Sequence, residues 1–402
     1  MRFSTRTIAA VSVAAVSALA LAGCVASAAA PGGSGDGGNS KTILLGAAVA
    51  ETGFMSVVDL PAINALKIAI DQLNEDGGID GTPVELRIID TGSDLDKYAP
   101  ASQQLVDAGA KAIILTCDFD LSSPGALVAE QANVLSISPC IGDALFGPAS
   151  GLNLAFSMGN STIGEGVVFA EFAESKGWKN AVFLTDTTLK YTQSQCEIAR
   201  KRFTELGGTD VGSFDYVQGS SIPEIVSKIS GGTTPDVVFN CGYNPGGAQV
   251  AKDLRDGGID APIVSGFGMD GTFWLDAIPG LSDYYVTTYV STTGDDPDPK
   301  VNEFADLYEK TYNERPVTGS FVAGPSVLEA LVKGHEIAGS WDGDKLAEAF
   351  QTFKDEKFLV GDTTFTSDLH IGVDRPQSVL VVKDGTLEFL ERRAPEKIDV
   401  NG

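Results

Sequence analysis

Histidine is almost missing from this chain: 402 residues hold two, His335 and His370, both far in sequence from any cysteine. None of the five cysteines forms a Cys-x-x-Cys pair, so a tetrahedral zinc site is not written here. Equally absent are the Gly-x-Ser-x-Gly nucleophile elbow, the His-Glu-x-x-His zinc helix and the Gly-x-x-x-x-Gly-Lys phosphate loop. Gly266-Phe267-Gly268-Met269-Asp270-Gly271 has the outline of a dinucleotide loop but no suitable acid about 20 residues later. Catalysis, a cofactor and a metal are therefore not expected. Positive charge is scarce as well, 28 Lys and Arg against 54 Asp and Glu for a net −26, which excludes nucleic acid as a partner and repels anionic membrane surfaces. The longest apolar run, Ile8 to Ala22, is too short to span a bilayer comfortably.

That run follows Arg2 and Arg6 and ends in Leu21-Ala22-Gly23-Cys24, which resembles the bacterial lipoprotein signal. The resemblance implies removal of residues 1–23, lipid attachment at Cys24 and an extracytoplasmic location in which only the lipid touches the membrane. Residues 24–40 are rich in Ala, Gly, Ser and Pro and read as a flexible tether. The remaining 360 or so residues exceed one comfortable core, so two lobes are expected.

From residue 43 onward, short β-branched runs alternate with stretches of helical period. Ile43–Val49, Val84–Asp90, Ala112–Thr116 and Val134–Ser138 read as buried strands, with helices over Leu60–Asn74, Pro100–Ala108 and Gly125–Ala132 between them. The rhythm resumes after Gly159, with helices over Thr162–Ser175, Gln193–Leu206, Ile222–Ile229 and Gly247–Arg255. Strands are expected at Ala181–Thr185, Ser213–Tyr216, Val237–Asn240 and Pro262–Gly266. Asp76-Gly77-Gly78-Ile79-Asp80 recurs as Asp256-Gly257-Gly258-Ile259-Asp260, each copy closing a helix and launching a strand. Alternation of this kind means α/β architecture with parallel sheets covered on both faces. A late block follows: a strand from Thr287, helices over Lys300–Asn313 and Ser326–Ala338, and a hairpin turning at Asp384-Gly385. It is too small for a third lobe and must complete the first two. Cys117, Cys140, Cys196 and Cys241 are even in number, and their separations favour disulfides Cys117–Cys140 and Cys196–Cys241, with free buried thiols the alternative.

Several motifs then resemble one family. Ala69-Ile70-Asp71-Gln72-Leu73-Asn74-Glu75-Asp76-Gly77-Gly78-Ile79-Asp80-Gly81, followed by Val84-Glu85-Leu86 and Asp90, resembles the first helix, turn and second strand of extracellular solute-binding proteins of the branched-chain amino acid and amide type. Glu51-Thr52-Gly53 and Ser138-Pro139 resemble that family's loops after its first and fourth strands. The resemblance runs from about Ile43 to Leu390. It implies two Rossmann-like lobes, residues 41–157 plus 289–365 and residues 158–288 plus 366–395. Three hinge crossovers are implied near Phe156–Asn160, Tyr285–Tyr289 and Gly361–Asp368.

Ligands of such sheets sit outside the carboxyl ends of the strands. The candidate site residues are Glu51, Thr52, Gly53, Phe54, Asp118, Phe119, Cys140, Ile141, Gly142, Tyr191, Tyr243, Phe267 and Asp270. Where relatives place a hydroxyl for the ligand carboxylate this chain has Phe119 and Gly142, and where they place an acid for the ammonium it has Phe267. If two of Asp118, Asp120 and Asp270 face the cleft, they favour a cationic or donor-rich ligand; otherwise the aromatics favour a flat, partly apolar one. The expected role is to carry a small organic solute, of amino acid, amide or organic acid class, as a monomer to an ABC permease. Reporting a ligand to a membrane receptor kinase is the alternative.

Overall fold

The computed structural model describes residues 42–398. Cys24, the signal at 1–23 and the tether at 24–40 lie outside the described residues. The chain begins with β1 (Ile43–Val49), α1 (Ser56–Glu75), β2 (Val84–Asp90), α2 (Leu95–Asp107), β3 (Ala112–Leu115), α3 (Phe119–Gln131), β4 (Leu135–Ser138) and β5 (Ala155–Asn160). Next come α4 (Thr162–Ser175), β6 (Asn180–Asp186), α5 (Lys190–Glu205), β7 (Thr209–Tyr216), α6 (Pro223–Ser230), β8 (Val237–Cys241), α7 (Gly246–Asp256), β9 (Ile263–Ser265) and β10 (Tyr284–Thr288). The late block holds α8 (Pro299–Tyr312), α9 (Ala323–Ala338), α10 (Gly343–Phe350), β11 (Glu356–Phe358), β12 (Gly361–Thr363), β13 (Ile371–Gly372), β14 (Gln377–Lys383) and β15 (Thr386–Arg393).

Two large sheets organise these elements, and β11 and β12 pair as a separate two-stranded sheet. The first runs β13-β5-β4-β3-β1-β2 and is parallel throughout. The second runs β15-β14-β10-β9-β8-β6-β7, parallel except for β14 and β15, which add antiparallel at one edge. Helices cover both faces of each sheet, so β1, β3, β4 and β8 are buried along their whole length, and β1 and β3 read as unbroken apolar runs. The late helices α8, α9 and α10 pack with α1 on the first sheet. The β14–β15 turn places Asp384 at φ 49° and Gly385 at φ 78°, the mirror-image turn that matches strand twist.

Several boundaries differ from expectation. Helices α1, α2 and α3 start four to six residues early, because Pro61, Pro100 and Pro124 sit in the second helical turn rather than opening the helix. Asp94 and Asp118 supply the true starts of α2 and α3, accepting from the N–H of Asp96 and of Leu121. Residues 155–160 form a strand, so the first crossing between sheets follows Asn160. β10 begins at Tyr284, three residues before the predicted Thr287. Ile371–Gly372 pairs with β5, which puts the last crossing at 373–376 instead of 361–368.

Candidate functional site

Three carboxylates at the strand ends fix the backbone around the cleft. Asp59, buried in the first turn of α1, accepts from the N–H of Ala50 (2.8 Å) and Cys117 (3.0 Å) and from the Thr116 hydroxyl. It thereby locks the ends of β1 and β3 to α1, and its burial raises its pKa to about 6. Asp90 at the end of β2 accepts from the N–H of Glu51 and Thr52 and from the Thr52 hydroxyl (2.7 Å). In the second lobe, Glu165 of α4 is wholly buried and accepts from the Phe267 N–H (2.7 Å), the Tyr191 hydroxyl (2.8 Å), the Thr287 hydroxyl (3.1 Å) and the Gln195 amide. Burial pushes its pKa up, offset in part by these donors.

Between the sheets lies a cavity of about 50 Å³, room for a few waters. Its lining draws on the loop after every one of six strands: Phe54, then Cys117 and Asp118, Cys140, Leu189 and Tyr191, Tyr243 and Asn244, and Phe267 and Gly268. Met55, Val57 and Val58 from the start of α1 complete it. Of the predicted residues, Phe54, Asp118, Cys140, Tyr191, Tyr243 and Phe267 meet here. Cys117 and Cys140 are joined in a disulfide that forms part of the wall, and Cys196 and Cys241 in a second one inside the other lobe.

The other predicted residues lie elsewhere. Glu51 pairs with Lys67 (3.4 Å), and Thr52 is tied to Asp90, so both turn away from the cavity. Gly53 makes that turn possible: at φ +87° a Cβ would stand 2.5 Å from the Gly92 carbonyl oxygen. Phe119 packs against the core behind the first sheet and Ile141 is buried in it. Gly142 touches the site from outside the lining, since a Cβ there would meet the Tyr191 ring at 3.1 Å. Asp270 accepts from the Thr288 hydroxyl (2.7 Å) and the N–H groups of Gly319 (2.6 Å) and Gly271 (2.7 Å), tying the second-sheet loop to the segment before α9. Its burial raises its pKa to about 6.

Sequence reasoning missed Glu165, whose place in the first turn of α4 reads as a charge complementing the helix dipole. It also missed Met55, Val57 and Val58, hidden by the late start assigned to α1. His370 stacks on Phe156 at 3.8 Å and its Nδ1 lies 2.9 Å from the Ala155 carbonyl oxygen, a core role in which burial lowers its pKa to about 4. Among the described residues, no group of three His, Cys, Asp or Glu side chains could hold a metal.

The two lobes touch across the cavity. The Phe54 and Tyr243 rings lie 6.0 Å apart, the Lys190 N–H donates to Asp120 Oδ2 (2.8 Å), and the Ser194 hydroxyl donates to Asp143 Oδ2 (3.1 Å). Helix α5 has no side-chain cap from its own N-cap residue, Leu189, so Asp120 caps it from the opposite lobe. Tyr191 and Tyr243 are held by their hydroxyls, to Glu165 and to Gln218 (2.8 Å each), and both line the cavity.

The sequence model of the periplasmic binding protein family matches residues 42–386. The Leu/Ile/Val-binding protein homolog 1 of Brucella melitensis is 23% identical over 340 residues, covering 80% of this chain and 86% of that one. A Pseudomonas aeruginosa protein named for binding leucine, isoleucine, valine, threonine and alanine is 25% identical over 306 residues, 73% of this chain and 77% of that one. Among solved structures, the branched-chain amino acid transporter substrate binding protein LivJ of Streptococcus pneumoniae, in complex with isoleucine, superposes with a TM-score of 0.78. It is 24% identical and covers 88% of this chain and 100% of its own. The leucine binding protein LivK of Thermotoga maritima gives 0.77 at 23% identity, with coverage of 88% and 99%. The chain belongs to the periplasmic binding protein family, and its two sheets have the type I fold of that family's branched-chain amino acid-binding proteins.

Proposed function

We propose that this chain is a lipid-anchored extracytoplasmic solute-binding protein that closes two lobes on a small organic solute and presents the closed form to an ABC permease. The observation that carries this reading is the cavity lined by all six post-strand loops, three from each sheet. A ligand there contacts both lobes only when they are closed, so its binding free energy shifts the population toward closure. The named ligands of the relatives support the solute-carrying role. The lining itself differs from an amino-acid receptor in having no Ser, Thr, Lys or Arg.

The reading is tested by a thermal-shift screen over amines, amino acids, amides and organic acids. A binder present at 100 times its Kd adds about 2.7 kcal/mol to stability. Tyr243→Ala should erase the shift given by any hit while the unliganded protein still unfolds cooperatively; an unchanged shift would overturn the cleft assignment. Cys24→Ser should release the protein from the cell membrane and leave ligand affinity unchanged, because the tether at 24–40 separates the anchor from the clamp. Retention of that variant on membranes would sink the anchoring.

A further inference from the structure

A helix N-terminus opening on a cleft is the natural seat for a ligand carboxylate, because free N–H groups and the helix dipole converge there. Helices α1, α3 and α5 begin at this cleft wall, and at α3 and α5 the chain's own acid fills that seat. Asp118, itself a lining residue, accepts from the Leu121 N–H at 2.9 Å at the start of α3. Asp120 does the same for the Lys190 N–H at the start of α5. The lining holds no Lys, Arg or His to neutralise an incoming anion.

What the lining offers instead is acceptors without donors. Asp118 is 3% exposed and has no cationic partner among its hydrogen bonds or ion pairs. Asn244 is 5% exposed, lines the cavity, and its Oδ1 has no hydrogen-bond partner. Its Nδ2 faces the Gly268 carbonyl oxygen at 3.4 Å, so exchanging the two amide atoms would set oxygen against oxygen. The tyrosine hydroxyls already donate to Glu165 and Gln218. Asp143 and Asp186 are buried close enough to act electrostatically on Asp118 and on Tyr243 respectively. The rest of the surface is aromatic, aliphatic or disulfide. A buried carboxylate and an unpaired amide oxygen, both on residues that line one largely apolar cavity, are unfavourable until a donor arrives.

We propose that the cleft takes an organic amine, an ammonium group on an apolar body that carries no carboxylate, with Asp118 and Asn244 Oδ1 receiving the ammonium and the Phe54, Tyr191, Tyr243 and Phe267 rings enclosing the body. This rests on the cleft being the solute site. A ligand without a carboxylate is favoured because the starts of α3 and α5 already carry the chain's own acids and the lining holds no Lys, Arg or His.

Calorimetric titration of the full chain at pH 7.5 with matched series tests it. The series are 2-phenylethylamine, phenylalanine and 3-phenylpropionate, and 3-methylbutylamine, leucine and 4-methylpentanoate. At least one amine should bind ten times or more tighter than its amino acid, with no binding of the acids. Asp118→Asn, which keeps the cap on Leu121, should weaken the amine at least tenfold, and Asn244→Ala should weaken it as well. An amino acid or acid that binds tighter than its amine, amine affinity indifferent to Asp118→Asn, or no binding across both series would overturn the assignment. If an amino acid wins and its binding is lost in Tyr243→Ala, the cleft remains the solute site and only the amine class falls. If the winner ignores Tyr243→Ala, the cleft reading falls too.

Discussion

Arg375→Ala is expected to lower the unfolding free energy by about 3–5 kcal/mol and the thermal midpoint by roughly 5 °C. Arg375 is 2% exposed. Its Nη1 donates to the carbonyl oxygens of Met158 (2.7 Å) and Gly159 (3.2 Å) and to Asn160 Oδ1 (3.1 Å). Its Nη2 donates to the Thr363 hydroxyl (2.7 Å), and its Nε to the Asp362 carbonyl oxygen (3.1 Å). One planar fork thus joins the end of β5, strand β12 and the 373–376 crossing. Alanine would leave these buried acceptors without a donor, and each such group is destabilising by about 1–3 kcal/mol. Arg375→Lys should recover little of the loss, because one compact ammonium cannot reach the carbonyl oxygens of β5 and Thr363 together. Calorimetry on both variants decides the matter, and a midpoint within 2 or 3 °C of the parent would show that the crossing does not depend on this fork.

Arg375 also shows why part of this molecule was not legible in its sequence. Ile43–Val49 was legible because burial on both faces leaves an apolar run with few competing patterns, and the edge strand Val84–Asp90, exposed along much of its length, was legible from its β-branched content; both agree residue for residue. Helix starts were not, because proline in a second turn looks the same in sequence as proline at a helix start, and the prolines of α1, α2 and α3 all misplace it. Two-residue strands such as Ile371–Gly372 carry no periodicity, so the last crossing was set too early. At the site, loop position identified the neighbourhood, since every post-strand loop named from sequence contributes to the cavity. Direction within a loop was harder. Thr52 and Phe119 are one or two residues from lining positions and face away, Thr52 because Asp90 captures its hydroxyl and Phe119 because α3 begins there and turns it onto the core. The repeated Asp-Gly-Gly-Ile-Asp closes α1 and α7 as expected, yet the backbones differ: both glycines have positive φ after α1 and only Gly258 after α7.

Asp118→Asn is expected to be more stable than the parent at pH 8 and nearly equal to it at pH 4.5, with the difference changing by on the order of 3 kcal/mol. Burial raises the Asp118 carboxyl from 3.8 to about 7, with the neighbouring Asp120 and Asp143 carboxylates adding to the effect. An acid whose folded pKa lies above its unfolded value binds more protons in the folded state between the two. Its stabilising contribution is complete below about pH 4 and is lost as the pH rises through about 7. Asn cannot ionise and keeps the bond to the Leu121 N–H, so the variant escapes the loss. His370 works in the opposite sense, since burial lowers its pKa to about 4 and protonation on acidification destabilises the fold. That slope, and those of Asp59 and Asp270, are common to both proteins and cancel in the difference. Urea titrations of the two proteins at several pH values between 4.5 and 8 give the curve. If Asp118→Asn were destabilised equally at both ends, Asp118 would be an ordinary helix cap. A gain in stability at high pH, where an unpaired charge sits in an apolar cleft, marks instead a side chain kept for what it binds, and a cationic ligand should then narrow the gap by stabilising the parent alone.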